Sequence, residues 1–219
     1  MAKLLNRAGY APKIVRMSDR LDRAFAAVDS ANAEDPTTVV VDGEPVPAEL
    51  LYGRRMSAWL DRLVPDASEP LRIAVRAQHI QRWKIPRSAY PEGRAGYKRW
   101  RSELARVHAE LAGKIAAEAG YDDVSCERVR DLVQKRRLHS DLEAQTLEDV
   151  ACLVFLEHYF ADFQGRHERA KVVEIVRKTW GKMSERGRGA ALGLALGDAE
   201  RSLVEEALAA DETLSTDQE

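Results

Sequence analysis

A chain of 219 residues, 45% hydrophobic and 32% charged, can bury one domain-sized core without disulfides or a structural metal. No apolar run approaches the ~18 residues that a membrane span requires, which argues against a membrane protein. The formal charge is −2, but Arg76 to Arg101 holds eight Lys or Arg against one acid, Glu92, so this block carries +7 and the remaining chain −9. Such a local positive field argues for a site and against a general nucleic-acid coat.

In chain order, residues 1–17 read as an N-terminal extension; Gly9 and Pro12 interrupt its basic pattern and argue against an organelle transit peptide. Ser18 has N-cap chemistry, and Leu21, Phe25 and Val28 share one helical face, so a first helix is expected to end near Asn32. EDPTTVVVDGEPVPAEL follows as a connector with one short extended piece near residues 37–41 and a DG turn signal. A second helix is expected from Ala48 to just before Pro65. A third is capped by Ser68 and runs through EPLRIAVRAQHIQRW, and Tyr90 to Gly96 forms a loop.

The fourth helix is expected from about Tyr97 to Ala119, closed by Gly120, and DVSCERVRDLVQKRRL gives a fifth. DLEAQTLEDVACLVFLEHYFADF has the periodicity of a buried sixth helix, HERAKVVEIVRKTWGKM makes a seventh, and another starts after Ser184. The expected fold is therefore all-α, a single compact domain of about seven or eight helices over residues 18–208, with a flexible acidic tail at 209–219. Cys126 and Cys152 form no CxxC pair and fit free thiols in a reducing, cytoplasmic setting.

Three helices turn polar residues inward. Arg72, Arg76, His79 and Trp83 fall on one arc of the third helix at 100° per residue. His108 lies in the stripe Leu104, Leu111, Ile115 of the fourth. Asp149 lies in the stripe Leu142, Leu153, Leu156, Phe160 of the sixth, with Glu148 beside it and Gln145 one turn earlier. A buried carboxylate needs a partner. His79, His108 and Asp149 together have the chemistry to hold a divalent metal, whereas each alone is equally a hydrogen-bonded core residue, with Asp149 paired to an arginine such as Arg76.

RAQHIQRWKIPRSAYPEGRAGYKRWR and LEAQTLEDVACLVFLEHYF, with ELLYGRRMSAWL before them and KTWGKMSERG after, resemble domain-of-unknown-function family 4202 over about residues 18–208. That likeness implies no reaction. More distantly, the order of parts resembles the HD-domain superfamily of metal-dependent phosphohydrolases, all-helical proteins whose metal is bound by a His, a His-Asp pair and a late Asp. The resemblance implies that His79 and His108 supply the two histidines and Asp149 the late carboxylate, around Mn, Fe, Zn or Mg. The chain departs from the pattern at Ala109 and Ala151, and Glu110 lies about 200° around the helix from His108. Glu148 and Asp149 are then the carboxylates left for catalysis.

The expected function is metal-dependent hydrolysis of a nucleotide or other small phosphorylated compound. Arg76 and Arg82 would lie near the metal, Lys84, Arg87 and Arg94 along the loop, and Arg99 or Arg101 would reach in from the next helix. Trp83, Tyr90 or Tyr97 would stack on a base, and Lys178, Lys182, Arg186 and Arg188 form a second cationic patch before a helix start. A different class of function is a non-enzymatic binding protein for RNA or another anionic partner, using the same Arg/Trp/Tyr block. A third reading makes the block an internal scaffold of cation–π and carboxylate contacts. Phosphate-loop, GxGxxG, GxSxG and HExxH motifs are all missing from the chain.

Overall fold

The structure is a computed structural model, and it describes residues 18–138 and 140–216. The expected N-terminal extension lies outside the described residues. Helix α1 spans Asp19–Ala33, with the Ser18 hydroxyl accepting from the Leu21 N–H as its composition requires. The connector is more ordered than one extended piece: β1 (Thr38–Val41) and β2 (Glu44–Pro47) form an antiparallel hairpin, Val39 opposite Val46. Asp42 and Gly43 make its turn at φ 52° and 86°, the backbone that a DG pair adopts most easily.

Ten α-helices are found among the described residues. After α1 come α2 (Ala48–Leu63), α3 (Glu69–Arg76), α4 (Gly93–Glu118), α5 (Asp123–Val133) and α6 (Leu142–His158). Then follow α7 (Phe160–Gln164), α8 (Arg169–Lys182), α9 (Glu185–Leu192) and α10 (Asp198–Thr216). The all-α class holds. None of these helices is long and apolar enough to cross a membrane. Helix α3 is the hub: Leu71, Ile73, Ala74 and Val75 are fully covered, and it packs against α1, α2, α4, α5 and α6.

Five boundaries differ from expectation; one is the expected sixth helix, which Tyr159, at φ −126° and ψ −13°, breaks into α6 and α7. Helix α3 stops at Arg76 and tightens into three-residue turns, with Ile80 N–H bonded to Ala77 O at 3.0 Å. Gln81 then takes φ 52° while its N–H donates to Asn32 Oδ1 at 2.9 Å. His79 and Trp83 thus leave the arc that Arg72 and Arg76 occupy. Two 3-10 turns, Arg82–Lys84 and Arg87–Ala89, fill the gap before α4.

Helix α4 begins at Gly93, where φ is 79°, and Gly96 lies so close to Pro91 that a Cβ there would sit 1.8 Å from its carbonyl oxygen. Helix α5 ends at Val133 because Lys135, at φ 54°, turns the chain so that Arg136 N–H reaches back to Asp131 O at 3.0 Å. At the far end, α10 runs on to Thr216, into the acidic stretch expected to be a tail. In α6 the expected stripe is interrupted at Leu142, which is 86% exposed.

Candidate functional site

The early end of α3 sends His79 towards α2 and α4. Its ring stacks on Tyr52 of α2 at 4.1 Å and 12°, and its centroid lies 6.1 Å from that of His108 on α4. The expected meeting of the two histidines is therefore present. Their carboxylate neighbour is Glu49, in the first turn of α2, whose Oε2 is 3.5 Å from His79 Nδ1 and whose Oε1 is 3.9 Å from Arg82 Nη1. Asp35 fixes the backbone there, accepting from the Glu49 N–H at 3.0 Å.

Burial dominates the electrostatics. It pushes the Glu49 carboxyl up to about 7, against the pull of Arg82 and with a small push from Asp35. Burial also holds His79 well below the ordinary histidine value, helped by the Arg82, Arg101 and Lys135 charges. His108 falls to about 3 through burial, with His79 and Arg82 adding to it. Both rings are neutral at physiological pH, and three cations face them.

His79 forms the partition between two cavities. The larger, about 620 Å³, is walled by Tyr52, Phe155, Tyr159 and Ala151, with Glu49, Arg82 and Arg166 at its polar edge. The smaller, about 80 Å³, is lined by Gln78, Arg101, His108, Gln134 and Lys135. A third hollow of about 220 Å³ adjoins at Glu49 and Arg82 and is lined by Trp83, Arg87 and Trp100.

Asp149 does not join the histidines. Its Oδ1 accepts from the Ser184 N–H at 2.8 Å and from Gln145 Nε2 at 3.0 Å, and its Oδ2 from the Ser184 hydroxyl at 2.5 Å. The carboxylate anchors the start of α9, where a Cβ on Gly187 would come within 2.7 Å of it. Glu148 is claimed by Lys135 and by Lys182 at 3.7 Å, and these charges outweigh burial to lower its pKa. The expected set of His79, His108 and Asp149 is thus split. Among the described residues no group of three His, Cys, Asp or Glu side chains is placed to hold a metal ion. With Arg82, Arg101 and Lys135 acting on the histidine pair, the donors present do not fit a divalent cation. Asp149→Asn is expected to weaken the α9 anchor by about 1–3 kcal/mol, read as a lower Tm, and to leave ligand binding in the groove unchanged.

The basic block divides. Arg76 holds Asp29 through two bonds of 2.7 and 2.6 Å and lies 5.2 Å from the Phe25 ring. Arg87 donates to Tyr90 O and Pro91 O, and Lys84 reaches Glu34 at 3.6 Å. These residues brace the loop. Arg94 and Arg99 are exposed on α4, and Lys178 pairs with Glu174 on α8. Of the expected phosphate ligands, Arg82 lines the large cavity and the adjoining hollow, Arg101 lines the small chamber, and Trp83 lies in the hollow.

Glu49, Tyr52, Lys135, Tyr159 and Arg166 were not expected there. Glu49 had one legible signal: it precedes Gly53, Met56, Leu60 and Leu63 at spacings that put it on the buried face of α2. Lys135 and Arg166 carry no such mark, since both follow helix ends.

A family model described as a domain of unknown function (DUF4202) matches residues 22–204. No curated protein and no solved structure matches the chain.

Proposed function

The chain belongs to the DUF4202 family, and from its own groove we propose that it binds a phosphorylated small molecule of nucleotide size and hydrolyses the phosphate ester. The observation that carries this reading is the convergence of Arg82, Arg101 and Lys135 on two neutral histidines, His108 buried and His79 partly covered, beside an aromatic-walled cavity. Guanidinium and ammonium groups in a partly desolvated site favour phosphate oxygens. Tyr52, Phe155 and Tyr159 offer an apolar wall for a base, and about 620 Å³ is an ordinary size for a small-ligand site.

The acid–base group of this reading is Glu49. With its carboxyl pushed up to about 7, it ionises near neutral pH and can accept the proton of a water attacking phosphorus, then return it to the ester oxygen that departs as its P–O bond breaks. Arg82, 3.9 Å from the same carboxylate, stands where phosphoryl charge would need neutralising. Nucleoside monophosphates should bind the purified chain and release phosphate in the presence of a chelator. Arg82→Gln should weaken binding by roughly tenfold to a hundredfold. No calorimetric binding of any nucleoside monophosphate or sugar phosphate at low salt would sink the reading.

A second reading, RNA binding, is favoured by a separate surface: Arg94, Tyr97, Lys98 and Arg99 are exposed on the first turns of α4, with Tyr97 49% exposed. It requires that affinity for single strands fall steeply with salt and with removal of Arg94 and Arg99, leaving groove ligands unaffected.

A further inference from the structure

We propose that the small chamber behind His79 is a subsite for a phosphoryl group, which takes inorganic phosphate and the phosphate of a phosphomonoester. The proposal rests on the phosphate-binding reading of the groove and specifies where the phosphoryl group sits. Two buried polar atoms point to an occupant. His108 is 3% exposed and Gln78 8%, both line the chamber, and neither His108 Nε2 nor Gln78 Oε1 has a protein partner. A buried polar atom left unpaired is costly, and a ligand that satisfies it recovers that cost.

The Gln78 backbone lies within reach of the His108 ring, and in the tautomer that donates there from Nδ1 the Nε2 atom is a lone-pair acceptor. The P–OH of a monoanionic phosphoryl group can donate to it. The Gln78 amide can turn to offer either its oxygen or its NH₂ to the remaining oxygens. Arg101 supplies the charge: it lines the chamber and has no ion-pair partner among the described residues. Lys135 adds a second cation, held in place by Glu148.

By the measure in which one water needs roughly 10–15 Å³, the chamber's volume of about 80 Å³ holds several water-sized groups, enough for a tetrahedral phosphoryl group. Apolar Leu104, Ala105 and Val133 line the rest of its wall.

The test is calorimetry on the full chain with inorganic phosphate and a nucleoside monophosphate. Phosphate should bind and compete with the monophosphate. Arg101→Gln should weaken phosphate at least tenfold, Ala105→Met should do the same by filling the chamber without changing charge, and Lys114→Gln on the same helix should leave it unchanged. Phosphate affinity untouched by both chamber variants overturns the proposal. A monophosphate that binds without competition from phosphate removes the subsite and leaves the groove reading standing. Phosphate that binds and responds to both chamber variants, with no nucleotide affinity, supports the subsite and removes the nucleotide reading.

Discussion

Glu49→Gln is expected to cut phosphate-ester turnover by about 10²–10⁴-fold while ligand affinity stays within a few-fold, since the amide keeps the shape and loses the proton-accepting oxygen. The parent's rate should rise with pH through about 7, as the Glu49 carboxyl ionises, and the variant's residual rate should lack that step. The same residue makes an opposite prediction for stability. In the folded protein the carboxyl keeps its proton up to about pH 7, whereas in the unfolded chain it releases it near the ordinary value of 4.5. The folded state therefore binds more protons within that window, and stability falls as pH rises through it, by up to about 3 kcal/mol. Gln carries no such charge. At pH 8 the inactive variant should melt above the parent, and a lower Tm there would show that Glu49 is a structural group.

Arg76→Ala should be the most destabilising change in the basic block, at about 3–5 kcal/mol. The side chain is 12% exposed and Asp29 26%, so truncation leaves a half-covered carboxylate with only Arg54, at 3.8 Å, as a replacement. It also removes the guanidinium from the Phe25 ring that ties α1 to α3. For a chain of this size Tm should fall by roughly 10 °C, while phosphate affinity in the groove is retained. Removing Asp29 as well should restore part of the loss, because the carboxylate is then no longer stranded. A variant that melts like the parent would deny Arg76 its role as a brace.

Helix type and order were readable because amphipathic spacing and caps are local: Ser18, Ser68, Asp122, Asp141 and Ser184 all accept from the backbone of the helix they precede. The end of α3 was not, because nothing between Arg76 and Pro86 breaks a helix. The chain turns there to let Asn32, on a different helix, take the Gln81 N–H. Charge logic was half right at Asp149: a buried carboxylate did need partners, and they are the N–H and hydroxyl of Ser184, 35 residues away, with Gln145 adding a bond. Burial of His108 was legible in its helical stripe. The identity of the carboxylate beside His79 was not, since Glu49 and His79 meet through packing of α2 against the turn after α3.

Gln81 and Lys135 hold left-handed backbone without being glycine, and each adjoins a groove residue: one sits between His79 and Arg82, the other is itself in the chamber wall. A non-glycine residue in that conformation costs about 1–2 kcal/mol. Glycine would relieve the strain and also gain many other conformations, so the loops would be free to wander. With glutamine and lysine the alternatives are few, and once the core has forced the turn the walls stay put. The groove's shape is thereby prepaid in folding, leaving a ligand little ordering entropy to supply on arrival.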